Sequence, residues 1–212
     1  VNKILVGLLS CRSTQDRRDL CRATWVPVVQ SLGIRVVFMV GGYDDLLEAD
    51  EMLYLPVHDG YRELPQKTTA FCRWAVDNTD ATHLFKADDD TLLHPWRFKE
   101  FADSIPPDKE YIGSEWRAKS GYASGGAGYT ISRRAAELVA QQKRFKGPED
   151  MITGTVMLKH RITFHRDRRF IPFGNEQRRP LPDNDLISTH KISVELWNDT
   201  WGRILEDKPN EL

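Results

Sequence analysis

Cysteine is scarce in this chain of 212 residues: Cys11, Cys21 and Cys72 are all there is, with no Cys-x-x-Cys pair. An odd, sparse set argues against a disulfide framework and for a reducing compartment. Each thiol reads as a small buried hydrophobe rather than a nucleophile. Long apolar runs are also missing. None approaches the about 18 residues that a membrane-crossing helix needs, and the first residues lack the layout of a signal peptide. Net charge is nearly absent: 30 Lys and Arg against 31 Asp and Glu leave −1, which gives no global pull toward nucleic acid or membrane. The expectation is a cytoplasmic protein whose contact with membranes, if any, is peripheral.

What is present describes a soluble globular chain, with 40% hydrophobic and 29% charged residues. Its length suits one sizeable core and a single domain. Residues 3–9 read as an apolar run from Ile4 onward, and Ile34-Arg35-Val36-Val37-Phe38-Met39-Val40, stopped by Gly41-Gly42, as a second buried strand. Both suit buried parallel strands. Ser13 and Asp16 have capping-box spacing ahead of a helix through Leu20 and Ala23 to Trp25, ended near Pro27. Ala70, Phe71, Trp74 and Ala75 share one face of a helix over 66–77. Alternating strands and helices over the first 90 residues predict an α/β fold with a Rossmann-like, mostly parallel central sheet. Further helices are expected from Pro95, after Ser132 as cap, and from Pro148. Short strands lie beyond 160, then a Pro-rich loop near 180–182 and a terminal helix carrying Trp197 and Trp201.

The most informative run is Thr82-His83-Leu84-Phe85-Lys86-Ala87-Asp88-Asp89-Asp90. An apolar strand ends in three consecutive carboxylates, which repel one another unless a cation neutralises them. A hard divalent metal with oxygen ligands is the natural partner, and ligands of open α/β sheets collect beyond the carboxyl ends of strands. Asp88, Asp89 and Asp90 therefore read as a metal-diphosphate cradle, or alternatively as a solvated acidic turn. An EF-hand loop is excluded. Counting from Asp88, Leu93 falls where Gly is required and Lys99 where the bidentate Glu is required.

Glu149 and Asp150 follow Gly147-Pro148 in the first turn of a predicted helix. They complement the helix dipole, or one of them is a general base; the residues alone do not choose between them. A helix N-terminus is expected to lower such a pKa, which is tolerable if the proton moves late. Ser124-Gly125-Gly126-Ala127-Gly128 precedes a strand. It reads as a turn or as a place where a ligand approaches the backbone. It is neither a dinucleotide fingerprint nor a nucleophile elbow. His190, after Leu186-Ile187, could complete a metal site, since imidazole serves where carboxylates are few. Arg18 and Arg22 on the first helix, and Lys67 at the start of the third, could meet a diphosphate or could be exposed helix charges.

In order and spacing these segments resemble the β-1,3-galactosyltransferase and Fringe family, glycosyltransferase family 31. The resemblance is carried by Arg18, Arg22, Thr24 and Trp25, by Tyr61, Leu64, Lys67, Thr68 and Trp74, by Phe85-Lys86-x-Asp88-Asp89-Asp90, by Tyr122-Ala123-Ser124-Gly125-x-x-Gly128-Tyr129-x-x-Ser132, and by Glu149-Asp150 with Gly154. It runs from about residue 4 to about 160, and more faintly to His190 and Trp197. It implies a GT-A fold, a UDP-sugar donor and manganese or magnesium. In that family the last Asp of the triplet and a C-terminal His hold the metal, here Asp90 and His190 with Asp88 beside them. The family's base is the second acid of the pair, here Asp150. Gly125, Gly126 and Asp89 would then face the donor. The family's membrane anchor and paired cysteines have no counterpart in this sequence, and an anchor upstream of residue 1 would shift the expected compartment to the Golgi lumen.

The resulting expectation is an inverting hexosyltransferase acting on a saccharide or glycolipid hydroxyl. UDP-galactose is favoured as donor, then UDP-N-acetylglucosamine or UDP-glucose. Residues 1–92 would form the nucleotide half and 93–212 the acceptor half of one domain. Two rivals stand beside it. One is transfer to hydroxymethylated bases in DNA, toward which the basic stretch of Arg161, Arg166, Arg168, Arg169, Arg178 and Arg179 leans and the neutral net charge does not. The other is a sugar- or metal-binding module without turnover.

Overall fold

The computed structural model describes residues 2–115, 120–174 and 185–209. The predicted Pro-rich loop at 180–182, and Arg178 and Arg179, lie outside them. In chain order the elements are β1 (Ile4–Leu9), α1 (Gln15–Ala23), α2 (Trp25–Ser31), β2 (Arg35–Val40), β3 (Leu47–Ala49), β4 (Met52–Tyr54), α3 (Leu64–Asn78), β5 (His83–Asp88), β6 (Thr91–Leu93), α4 (Pro95–Ser104), β7 (Tyr111–Gly113), β8 (Tyr129–Ser132), α5 (Arg133–Ala140), α6 (Glu149–Lys159), β9 (Phe164–Arg166), β10 (Phe170–Ile171), β11 (Ser188–His190) and α7 (Val194–Glu206).

The main sheet runs β3-β4-β2-β1-β5-β8-β7-β9. Its centre is parallel, with β1 between β2 and β5; β8 then turns the sheet antiparallel. Strand β1 is buried along its whole length, which is why it reads as an unbroken apolar run. Alternate residues serve opposite faces. Val6, Leu8, Phe38 and Phe85 pack with Cys21, Trp25, Val29, Phe98, Trp197 and Ile204. Leu5, Leu9, Val37, Met39 and Leu84 pack with Phe71, Trp74, Ala135, Val139 and Val156. Helices α1, α2, α4 and α7 thus cover one face, and α3, α5 and α6 the other.

A second sheet, β10-β11-β6, is small but decisive for the site. Its antiparallel register sets His190 opposite Thr91, next to the acidic triplet, although the two are about a hundred residues apart in sequence. These strands have two or three residues each, too short for a periodic signal.

Two local expectations are corrected. The first helix breaks at Thr24, whose hydroxyl donates to the Leu20 carbonyl. Pro27 does not end it but sits in the first turn of α2, where N–H groups lack intrahelical partners anyway. Nor do Ser13 and Asp16 form a capping box; Cys11 and Thr14 close that arrangement over a single 3-10 turn. Other boundaries follow the sequence reading. Pro95 opens α4, and the Ser132 hydroxyl accepts from the Ala135 N–H at the start of α5. Among the described residues no helix is long and apolar enough to cross a membrane.

Phe85 is fully buried and its ring meets Phe98 and Phe170, tying β5 to α4 and β10 beneath the triplet. Phe85→Ala is expected to cost about 3–5 kcal/mol. Chemical denaturation should show this as a lower midpoint with an unchanged slope.

Candidate active site at the carboxyl ends of the parallel strands

Asp88 closes β5 beside Leu9 of β1, so the triplet leaves the sheet at the carboxyl edge. Its three carboxylates do not share one environment. Asp89 turns inward, accepting from Ser10 Oγ at 2.7 Å and Thr14 Oγ1 at 2.5 Å. Burial pushes its pKa up, against these donors and Arg17. Its carbonyl accepts from the Cys21 thiol at 3.3 Å, and Trp25 Nε1 donates to the Thr91 carbonyl at 3.1 Å. Cys21 and Trp25 therefore clamp the backbone on both sides of Asp90. The expectation that Asp89 faces the donor is corrected: it anchors the loop after β1.

Asp88 and Asp90 remain at the surface of the site, and both meet His190. Its Nε2 lies 3.0 Å from Asp90 Oδ1 and 3.7 Å from Asp88 Oδ2. The ligand atoms of these three residues all lie within 4.8 Å of one another. His190 Nδ1 is 3.0 Å from the Pro172 carbonyl. A carbonyl only accepts, so Nδ1 carries the proton, and in the neutral ring Nε2 presents its lone pair. Burial opposes an imidazolium, but Asp90 and then Asp88 hold the His190 pKa above its ordinary value. Burial likewise opposes ionisation of Asp90, yet His190 and then Arg17 keep its carboxyl below the usual range.

Asp90 Oδ1 makes no hydrogen bond and is buried. The His190 contact is off the line of a hydrogen bond and counts as a charge contact only. An orphaned carboxylate oxygen facing an imidazole nitrogen is a donor set that fits a divalent cation. Such a histidine, fixed by a carbonyl at its far nitrogen, has the outer support that metal-ligating imidazoles need. Asp88, Asp90 and His190 thus fit the expected metal site.

The base pair of acids is also split. Glu149 is buried, with Oε1 accepting from Tyr129 at 2.5 Å and Thr153 at 3.1 Å, and Oε2 lying 3.0 Å from Lys86 Nζ. Its lone pairs are committed, and the expectation of a catalytic role for it is corrected to one of support. Asp150 is half-buried and accepts from the backbone N–H groups of Met151 and Gly125. Burial, with Glu149 next to it, raises its pKa. The expected lowering by the helix N-terminus is overturned: desolvation outweighs the dipole, which makes Asp150 a stronger base than a helix-end carboxylate ordinarily is.

The expected diphosphate cations are engaged elsewhere. Arg18 is buried, donating to Ser10 Oγ, the Cys11 carbonyl and Gln15 Oε1. Arg22 faces Glu51 and lies over the Phe38 ring. Lys67 is buried against Asp59 at 2.5 Å and the Ser10 carbonyl at 2.9 Å. Asp59 also accepts from the Arg12 and Gly41 N–H groups, so the Lys67–Asp59 pair joins the loops after β1 and β2 rather than awaiting a ligand. Among the described residues the cations that do face the triplet include Lys86, 2.9 Å from Asp88, and Arg17, 3.4 Å from Asp89 and 3.3 Å from Asp90. Arg17 was missed because Arg18 and Arg22 share a helical face that Arg17 does not. Lys86 was missed because a lysine inside a strand gives no periodic signal; its place two residues before Asp88 was the available clue.

The glycines serve the same centre. A Cβ on Gly125 would come within 2.7 Å of Glu149 Oε2 and 3.0 Å of Lys86 Nζ, and one on Gly126 within 2.2 Å of the His190 ring. The run therefore lets protein groups, rather than only a ligand, approach the backbone. In the basic stretch, Arg166 pairs with Glu115 and Arg169 with Asp167, which leaves less free charge there than the sequence suggested.

Residues 16–113 match the family model described as Galactosyltransferase. A probable β-1,3-galactosyltransferase of Arabidopsis thaliana is 27% identical over 207 residues, covering 77% of this chain and 56% of the relative. The chain spans from about a quarter to about half the length of the curated relatives it matches, 26% to 56% for two of them. A glycosyltransferase involved in glycosylation of the major capsid of PBCV-1 superposes with a TM-score of 0.58 at 12% identity, covering 96% of this chain and 98% of that one. A mutant Drosophila β-1,4-galactosyltransferase 7 in complex with manganese, UDP-Gal and xylobiose gives 0.50 at 11% identity, covering 91% and 72%. The architecture is of the GT-A glycosyltransferase type.

Gly126→Ala is expected to push the His190 ring off Asp90. Overpacking of this kind costs about 1–3 kcal/mol, measurable in urea. Affinity for Mn2+ should fall roughly 10–100-fold, as for a displaced metal ligand support; a Mn2+ titration followed by electron paramagnetic resonance reads it.

Proposed function

We propose that this chain, whose residues 16–113 match the Galactosyltransferase family model, is a member of that family and a metal-dependent, inverting hexosyltransferase. The donor is a UDP-sugar, with galactose favoured over N-acetylglucosamine and glucose, and the acceptor is a saccharide hydroxyl, free or on a glycolipid. One observation carries the reading: Asp88, Asp90 and His190 converge at the carboxyl edge of the sheet, while Asp150 lies across Gly125 from them with its pKa raised. A diphosphate leaving group and an attacking hydroxyl need those two things side by side.

Asp88, Asp90 and His190 would hold manganese or magnesium. When bound, the ion supplies Lewis-acid neutralisation of the departing UDP. The chain's own residues do the rest. Asp150 accepts the proton of the acceptor hydroxyl as that oxygen attacks the anomeric carbon from the face opposite UDP, and the configuration inverts. Its N–H donors from Met151 and Gly125 fix the direction of the carboxylate. Glu149 and Lys86 compensate one another's charge beneath it. Residues 1–92 form the donor half in this reading, and 93–212 the acceptor half.

A screen of labelled UDP-sugars for hydrolysis and transfer, with and without Mn2+, tests the reading. Asp90→Ala should abolish metal-dependent UDP binding with the fold kept, and full activity of the wild type in chelator would sink the proposal.

Asp150→Asn keeps the shape but cannot accept a proton, so turnover should drop roughly 10²–10⁴-fold with donor affinity little changed. Glu149→Gln should be milder, and the reverse order would identify the wrong carboxylate. The pH profile carries a sign as well. A base with a raised pKa is ionised only above it, so the acidic limb of kcat/KM should lie above the ordinary aspartate range. A limb at or below that range would remove Asp150 from the role.

A further inference from the structure

Lys86 is buried in the middle of the site, with its ammonium held by three groups. Asp88 Oδ1 is 2.9 Å away, Glu149 Oε2 3.0 Å and the Gly125 carbonyl 3.1 Å. The Tyr129 ring lies 5.9 Å from it on the remaining side. These three partners come from different elements: the end of β5, the first turn of α6 and the loop before β8. Each has a second engagement in the proposed chemistry. Asp88 turns its other oxygen, Oδ2, toward His190. Gly125 accepts from Lys86 through its carbonyl, while its N–H, on the preceding peptide plane, faces Asp150. Glu149 immediately precedes Asp150 and is pinned by Tyr129 and Thr153.

We propose that Lys86 is a positioning residue that couples the metal cradle to the base, orienting Asp88 on one side and, through Glu149 and the Gly125 backbone, Asp150 on the other. This rests on the transferase reading above. An ammonium with three donors is suited to the task. By taking one oxygen of Asp88 it leaves the other for a cation; by holding Glu149 Oε2 and the Gly125 carbonyl it ties the first turn of α6 to the Gly125 backbone, whose N–H, on the preceding peptide plane, faces Asp150. The buried ion pairs restrict both halves to a single arrangement, because breaking either pair leaves an uncompensated charge. The consequence is specific: a change on the base side of Lys86 alters metal affinity, although it touches no metal ligand.

Two variants test this, each against its own reference. Lys86→Met with Glu149→Gln removes the cation and one carboxylate together, and its reference is Glu149→Gln alone. Gly125→Ala places a methyl group 2.7 Å from Glu149 Oε2, 3.0 Å from Lys86 Nζ and 3.5 Å from Asp150 Cβ, with Asp88, Asp90 and His190 not among its nearest neighbours, so its Mn2+ affinity is the deciding readout; its reference is the wild type. Mn2+ affinity is read on the protein without donor by electron paramagnetic resonance, and kcat and KM with UDP-galactose and the best acceptor of the screen. Both variants should bind Mn2+ roughly 10–100-fold more weakly than their references, as when an outer-shell support is lost. Turnover should fall with it, by more than KM for the donor rises. If either folded variant keeps the Mn2+ affinity and kcat of its reference, even with a lower Tm, Lys86 is merely structural and the proposal is wrong. If the double variant does not fold, Gly125→Ala decides alone. A wild type that neither binds Mn2+ nor turns over any UDP-sugar overturns the transferase reading and this proposal together. A wild type that does both, beside unaffected variants, overturns only this one.

Discussion

Three adjacent carboxylates at the end of a buried strand cannot share one environment. Two unit charges 4 Å apart interact by about 4 kcal/mol at the effective dielectric near a protein surface, and each added charge compounds the repulsion. Here the chain sends them three ways. Asp89 goes inward to two hydroxyls and Arg17. Asp88 meets the buried ammonium of Lys86. Asp90 goes to His190 and Arg17. Each exit requires an element to be in place: the loop after β1 for Asp89, α1 for Arg17, β11 for His190 and α6 for the carboxylate that balances Lys86. The helices and the small second sheet are thus arranged around the needs of one short stretch of acid.

That dependence also separates what could be read in the sequence from what could not. Strands β1 and β2 were legible because burial on both faces leaves nearly unbroken apolar runs, β5 because an apolar-rich stretch ends in carboxylates, and α4 and α5 because Pro95 and Ser132 announce their first turns. The residues alone marked the acidic triplet and the Glu149-Asp150 pair as candidate chemistry; only the resemblance singled out Asp90 and Asp150 within them. Lys67 was not legible, because its partner Asp59 lies in an irregular loop and pairing is a fact of tertiary structure. A lysine at a helix start looks the same whether it faces a phosphate or a buried aspartate. Arg18 and Arg22 mislead for the same reason, and the neighbouring Arg17 points elsewhere on the helix. His190 depended on the β6–β11 register, carried by strands with no periodic signature.

Glu149 and Asp150 show how one step of backbone separates two identical functional groups. Glu149 points into the protein, where a tyrosine, a threonine and an ammonium consume its acceptor capacity. Asp150 receives only two backbone N–H groups and stays half-buried. The charge of Glu149, close by, adds to desolvation in raising the Asp150 pKa. The same logic separates pairs of carboxylates in acid–base enzymes generally, where environment rather than residue type assigns the roles. The helix dipole would favour ionised forms of both acids, but it acts over one turn and competes here with burial, which is the stronger influence at Asp150.

The glycine-rich segment follows from this crowding. Gly125 leaves room for Lys86 and Glu149, Gly126 for the His190 ring, and Gly128, at φ +91, for the Phe85 ring. Between them the Ala127 carbonyl accepts from Ser188 Oγ on β11 at 2.5 Å, and the Gly126 carbonyl from Thr91 Oγ1 on β6 at 2.6 Å. A side chain at any of these glycines would collide with a different part of the site, so their smallness is required from several directions at once. The segment is where Asp150, the Asp88–Asp90–His190 cluster and the second sheet approach one another. Its backbone accepts from Lys86 and from Thr91 and Ser188 of the second sheet, so a displacement there is felt by several parts of the site. A loop that reads in the sequence as an opening for ligand is, in the folded chain, the contact through which the site holds its own shape.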